Sequence, residues 1–226
     1  MISAILPVKD GERYLAEAIV SILEQSRPPE ELMVIDGGST DRSAEIAGSY
    51  EDVKLIRQSG EGLAQAWNQA VDASSGDLIG FLDSDDLWLP GKQEAQARAL
   101  DEKPELGGVI GRARFELAAG MDPPSGFRPE LLGRDHMAPM PGTALVRREL
   151  FDQVGYFDED YWLAMDVDWF ARVKDAGHEV GTVDQTVLLK RYHPFNLSHT
   201  RPQIYESEIV KALRDSAKRQ QSAERE

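Results

Sequence analysis

The stretch Asp77-Leu78-Ile79-Gly80-Phe81-Leu82, followed at once by Asp83-Ser84-Asp85-Asp86, decides how this chain is read. The first six residues make a short apolar run, the pattern of a strand buried on both faces. The next four put three carboxylates at the end of that strand. Upstream, the same rhythm repeats. Ile2 to Val8 is an apolar run, and Leu15, Ala18, Ile19, Ile22 and Leu23 then recur at helical spacing until Arg27-Pro28-Pro29 breaks the pattern. Leu32 to Ile35 is the next strand, closed by the turn Asp36-Gly37-Gly38. Ser39, Thr40 and Asp41 offer cap chemistry for a helix running to Ala47. Val53 to Ile56 is a third strand, and Leu63, Ala66, Trp67, Ala70 and Val71 mark a helix that leads back to Asp77. An alternating strand–helix order of this kind predicts an α/β fold, a mostly parallel central sheet of Rossmann-like type flanked by helices.

Downstream the pattern loosens. Pro90 suits the first turn of a helix over 90–102, and Val109 to Leu117 reads as a strand. Residues 118–142 are rich in Gly, Pro and Met without a period, which predicts a long loop, a lid or a binding wall. Thr143 to Val146 reads as a strand, Arg148 to Val154 as a short helix, and Val167 to Ala176 as a helix stopped by Gly177. Val180 to Val183 and Val187 to Tyr192 read as two strands, and 203–220 as a polar terminal helix.

Composition narrows the functions. The 226 residues, 41% hydrophobic, can bury a core without staples. With no cysteine, disulfides, zinc–thiolate sites and a cysteine nucleophile are excluded. A formal charge of −15 argues against nucleic acid as a partner, because phosphate-backbone binding needs clustered Lys and Arg. The opening MISAILPVKDGERY turns charged too soon for a signal peptide, and no stretch reaches the roughly 20 apolar residues of a membrane helix. The expected location is cytoplasmic.

In an open parallel sheet, ligands gather at the carboxyl ends of the strands. Asp36 and the Asp83–Asp86 turn both fall there. Crowded carboxylates repel one another, and a divalent cation relieves that repulsion. Oxygen donors suit Mg²⁺ or Mn²⁺, which complete their shells with phosphate oxygens. A turn whose Asp residues cap the next helix explains the same four residues equally well. Asp36 can accept a hydrogen bond from a base or ribose, or be the structural acid of a glycine turn.

Six stretches, in order, resemble the family-2 inverting glycosyltransferases of GT-A fold: AILPVKDGERYLAEAIVSIL, LMVIDGGSTDRS, GLAQAWNQAV, GDLIGFLDSDDLW, PGTALVRRELFDQVGYFDED and MDVDWFARVKDAG. The resemblance spans about residues 1–195. It implies one domain over 1–200, with 1–117 binding the nucleotide sugar and 118–200 forming a smaller acceptor and catalytic side, followed by a terminal helix over 201–226. It implies a base contact by Asp36 with Pro7 and Val8 beside it, and donor contacts by Asn68, Ser84 and the DxD pair Asp83 and Asp85. Asp85 and the late His193 would ligate Mn²⁺ or Mg²⁺. Asp166 falls at the catalytic base, with Asp168 as the fallback, and Gly142 on the acceptor side; Trp162 is expected as an acceptor contact because sugars stack on aromatic faces. Two positions depart from the family. Gly37 and Met165 stand where it often has a second acid.

The implied reaction moves one sugar from a nucleotide sugar, a UDP-sugar foremost, to a hydroxyl of a glycan, lipid-linked sugar, peptide or small molecule. The Gln-x-x-Arg-Trp motif of processive synthases is missing, so a single transfer is expected. A non-catalytic nucleotide-sugar-binding module of the same fold is the rival reading. The glycine signature of a nucleotidyltransferase and the G-x-x-x-x-G-K-[ST] of a P-loop enzyme are both missing. Trp67 is read as core. His199 is a second-choice ligand, and Asn196-Leu197-Ser198 a coincidental glycosylation pattern. Lys211, Arg214, Lys218 and Arg225 form a basic helix face, either solvated or in weak contact with an anionic membrane surface or a second copy of the chain.

Overall fold

The computed structural model describes residues 1–118, 120–123 and 128–223. The side chain of His199 and all of Arg225 lie outside the described residues. The chain starts as a parallel α/β unit: β1 (Ile2–Val8), α1 (Leu15–Leu23), β2 (Glu31–Asp36), α2 (Ser43–Gly48), β3 (Val53–Arg57), α3 (Leu63–Ala73) and β4 (Leu78–Phe81). There follow β5 (Leu87–Trp88), α4 (Lys92–Glu102), β6 (Gly108–Leu117), β7 (His136–Met137), β8 (Ala144–Arg147), α5 (Glu149–Val154) and α6 (Met165–Asp175). A long β9 (Val180–Tyr192), a short α7 (Leu197–Thr200) and α8 (Pro202–Ala223) complete the order.

The strands join one sheet in the order β3-β2-β1-β4-β8-β6-β9-β5, with β7 on β6. β1 pairs in parallel with both β2 and β4, and β2 with β3. Every residue of β1 is buried because helices cover both faces, which is why the strand reads as a continuous apolar run. Its side chains still alternate. Ile5 joins the cluster under α3, α5 and α6, whereas Ala4, Leu6 and Val8 join the one under α1. The chain steps from β1 outward to β3 and then returns to the other side of β1. The carboxyl ends of β1 and β4 therefore flank a topological switch point, where a crevice opens.

The second half makes the sheet mixed. β8 runs antiparallel to β4 and β6, and β5 antiparallel to β9. The two strands read over 180–192 are one strand, with its register on β6 broken between Ile110 and Arg112. The segment 118–142 carries structure of its own, namely β7 and 3₁₀ turns at Pro129–Leu131 and Pro141–Thr143; residues 119 and 124–127 in it lie outside the described ones. Two helices start later than expected. α4 begins after Gly91, which has φ +79°, and leaves Pro90 outside. α2 begins at Ser43 because the polar residues before it are spent on the loop after β1. Thr40 donates to Asp10 at 2.7 Å, and Asp41 accepts Glu12 N–H at 2.9 Å. Among the described residues no helix is long and apolar enough to cross a membrane. The basic face of α8 is partly spent, with Lys211 over the Tyr161 ring at 3.7 Å and Lys218 paired to Asp215 at 2.8 Å.

Candidate active site

Three strand ends build the crevice. Val8 stands opposite Asp36 in the parallel register, with Pro7 opposite Ile35. Asp36 is buried, and its Oδ1 accepts the Ser39 N–H at 3.0 Å. Gly37 donates to the Val8 carbonyl at 2.8 Å. A Cβ at Gly37 would stand 3.1 Å from the Gln58 side-chain oxygen and 3.4 Å from that carbonyl, so a second acid has little room there. The loop after β1 also presses on the acidic turn, since a Cβ at Gly11 would lie 2.7 Å from Val8 and 3.2 Å from the Ser84 hydroxyl.

Beyond β4, carboxylate oxygens of Asp83, Asp85 and Asp86 lie within 4.8 Å of one another. Their repulsion is relieved from within. Lys190 Nζ on β9 donates to Asp83 at 2.9 Å and to Asp86 at 2.7 Å, and the Arg191 N–H reaches the other oxygen of Asp86 at 2.9 Å. Burial works against the charge of Lys190, but the three carboxylates outweigh it and hold the amine well above the ordinary lysine range. Asp86, 1% exposed, is thereby consumed as a structural partner.

Asp85 is differently placed. His193 Nε2 lies 2.9 Å from its Oδ2, and Asn196 Nδ2 donates to the same oxygen at 2.8 Å. Burial raises the Asp85 carboxyl, yet the His193 hydrogen bond and the charge of Lys190 leave it below the usual carboxylate range. His193 is buried and stacks on Tyr14 with ring centroids 5.0 Å apart. Its Nδ1 accepts the Phe195 N–H at 3.2 Å, which leaves Nε2 as the ring atom directed at Asp85. Asn196 closes the arrangement by accepting the His193 N–H at 2.6 Å. Asp83, Asp85 and His193 together offer hard oxygens and one imidazole, a set that fits Mn²⁺ or Mg²⁺.

Asp166, in the first turn of α6, is near enough to Asp83 and Lys190 for their charges to act on it. Burial and the nearby charge of Asp83 push its carboxyl up to about 6, against the opposing pull of the Val167 N–H and of Lys190. The Tyr205 phenol of α8 is raised in turn, by burial and by the charge of Asp166. Asp168 points elsewhere. It is 4% exposed, 2.8 Å from Arg172 Nε and 3.7 Å from an Arg219 nitrogen, an ion pair tying α6 to α8. Of the two acids, Asp166 is the one whose carboxyl the charge of Asp83 raises. Met165 is 1% exposed inside the core cluster, an environment hostile to the acid the family often has there.

The remaining expected residues separate. Asn68, expected as a donor contact, hydrogen-bonds with both ends of its amide to the Phe157 main chain, at 2.9 and 3.0 Å. Gly142 packs against β9, where an added Cβ would stand 2.9 Å from Leu188. Trp162 is 55% exposed, with Arg201 5.3 Å above its ring. Trp67 is core. Lys190 and Asn196 escaped sequence reading. Lys190 sits inside an apolar strand run, and Asn196 was masked by a glycosylation pattern, although its spacing of three residues from His193 was a usable signal.

The sequence profile described as Glycosyl transferase family 2 matches residues 3–155. The uncharacterized glycosyltransferase EpsJ of Bacillus subtilis (strain 168) is 26% identical over 88% of this chain, which spans 63% of that relative. Among solved structures, S. aureus TarS 1-349 in complex with UDP-GlcNAc superposes with a TM-score of 0.73 at 20% identity, covering 96% of this chain and 66% of that one. Glucosyl-3-phosphoglycerate synthase from Mycobacterium tuberculosis, in complex with Mn²⁺, UDP and phosphoglyceric acid, gives a TM-score of 0.69 at 20% identity, covering 96% of this chain and 78% of that one. At that identity the likeness speaks for the fold, which is GT-A.

Proposed function

The chain belongs to glycosyl transferase family 2, and from that premise we propose that it transfers a single sugar from a UDP-sugar to an acceptor hydroxyl, with inversion at the anomeric carbon. The observation that carries this reading is the pairing of Asp166, a carboxyl raised to about 6, with the Asp83–Asp85 turn across the switch-point crevice. A base poised near neutral pH is suited to taking a hydroxyl proton. The two structural neighbours described with a UDP-sugar or UDP support the choice of donor.

Asp36, beside Pro7 and Val8, receives the base of the nucleotide. The acceptor oxygen attacks the anomeric carbon as the bond to the diphosphate breaks; its proton passes to Asp166, and the diphosphate departs with the bonding electrons. A Mn²⁺ or Mg²⁺ ion held by Asp85 and His193, with Asp83, supplies positive charge to the leaving group when bound. Asn196 holds both ligands in place, and Lys190 keeps the turn compact. The rest of the rate comes from holding donor and acceptor in line.

The test is a thermal-shift screen of UDP, GDP and dTDP with and without Mn²⁺, followed by UDP release from UDP-sugars. A stabilisation by UDP that grows with Mn²⁺ and vanishes in Asp85→Ala supports the donor site by mass action. Turnover that survives Asp166→Asn intact would sink the base assignment. UDP binding without any release of sugar would favour a nucleotide-sugar-binding module instead.

A further inference from the structure

The terminal helix enters the acceptor side through one residue. Glu208, on α8, is buried. Its carboxylate accepts three consecutive main-chain N–H groups, from Trp162 at 2.8 Å, Leu163 at 2.8 Å and Ala164 at 2.9 Å. These donors immediately precede α6, so they include the groups that the helix leaves without internal partners. In most helices a nearby side chain or water satisfies them. Here the cap comes from more than forty residues away, as a full charge at the positive end of the helix dipole.

The segment so gripped carries function at both ends. Trp162 is the exposed aromatic ring at its start, and Asp166 lies two residues beyond its end. One turn before Glu208, Tyr205 is close enough to Asp166 for the carboxylate charge to raise its phenol. Elsewhere α8 is fastened to α6 and its approach by contacts outside the crevice. Lys211 lies over Tyr161, and Arg219, Ser216 and Gln220 all hydrogen-bond Asp175 at 2.8 or 2.9 Å. Removing Glu208 alone therefore frees the 162–164 main chain while leaving α8 docked.

We propose that Glu208 is a positioning residue of the acceptor side, fixing through three main-chain N–H groups the direction in which Asp166 and Trp162 face the crevice. The proposal rests on the reading of Asp166 as base, and adds that α8 is part of the catalytic architecture. The carboxylate shape is what matters. Gln at 208 keeps the size but turns one acceptor into a donor aimed at N–H groups. Ala leaves a gap that a formate ion can fill.

The experiment compares wild type, Glu208→Gln and Glu208→Ala, with Asp166→Asn in parallel. Amide hydrogen exchange over 161–165 should accelerate at least about tenfold in both Glu208 variants, the scale of losing a charge-assisted hydrogen bond. Formate should restore protection in Glu208→Ala but not in Glu208→Gln. UDP binding with Mn²⁺, measured by calorimetry, should be unchanged, because among the described residues Glu208 hydrogen-bonds only the 162–164 main chain and none of Asp36, Asp83, Asp85 or His193. UDP release from UDP-GlcNAc should fall by about 10- to 100-fold, in kcat, as misplacement of a catalytic group predicts. Protection of 161–165 equal to wild type, or full turnover once protection is lost, would overturn the proposal. Full turnover in Asp166→Asn would instead overturn the base assignment, whatever Glu208 does to exchange.

Discussion

Asp166 illustrates how one side chain can be tuned at the cost of stability. Burial raises it to about 6, so as a base it is active above that pH, and kcat/KM should fall about tenfold per unit below it. The sign for stability is the opposite. The folded protein keeps a proton that the unfolded chain loses near the ordinary aspartate value of 3.8, so stability drains away as pH rises from there to about 6. Asp166→Asn should then gain melting temperature over wild type as pH rises through that window, while losing turnover. Equal melting profiles for the two proteins from pH 4 to 7.5 would mean the carboxyl is not buried at a cost. Lys190 makes the complementary case. Burial and its acidic neighbours push the Asp86 carboxyl up to about 8, so replacing Lys190 by Met strips Asp86 of its cation, and urea unfolding at pH 9 should show a loss of about 3 kcal/mol.

At the scale of elements, α3 is held to the chain before α6 by Asn68, whose amide clasps both main-chain groups of Phe157. Asn68→Ala should lower stability by about 2 kcal/mol, from two hydrogen bonds lost in a partly buried place, and leave UDP affinity untouched. A selective loss of UDP binding would support Asn68 as a donor contact. This residue also marks where sequence reading reached its limit. The strands and helices of 1–117 were legible because their apolar periods are local, and Asp36, Asp83 and Asp85 were legible because strand ends in such a sheet are where ligands gather. The clasp of Asn68 on Phe157 was not, since its partner lies 89 residues away. The same holds for Lys190, 107 residues from Asp83, and for Glu208. Such pairings are set by the mixed half of the sheet, where β9 runs parallel to β6 and antiparallel to β5, and by the docking of α8, which no local pattern encodes. β5, only two residues long, is defined by its pairing to β9 and has no period to read.

For the molecule as a whole, the decisive joint is where the parallel half meets the mixed half, at β8, which runs antiparallel to both its neighbours. A buried polar network from α4 serves it. Lys92 Nζ donates to the Ala144 carbonyl at 2.9 Å and to Gln96 at 2.7 Å, while Gln96 donates to the carbonyls of Thr143 and Val109 at 2.7 and 2.9 Å. Lys92 is fully buried, has no carboxylate among these partners, and lies 4.4 Å from the Trp88 ring. Burial pushes its amine down from 10.5 to about 7. Between those values the unfolded chain holds a proton that the folded protein has released, so stability rises with pH across that window. Below about 7 both states are protonated, the buried ammonium is carried at full cost, and the gain is absent. Wild type should therefore gain up to about 1.4 kcal/mol per pH unit relative to Lys92→Met between pH 7 and 10, read as the difference between their urea-unfolding free energies. The two curves should run parallel from pH 5.5 to 6.5. A difference that stays constant from pH 6 to 10 would mean that Lys92 remains charged in the core, with the carbonyls of the joint sufficing to hold an ammonium ion.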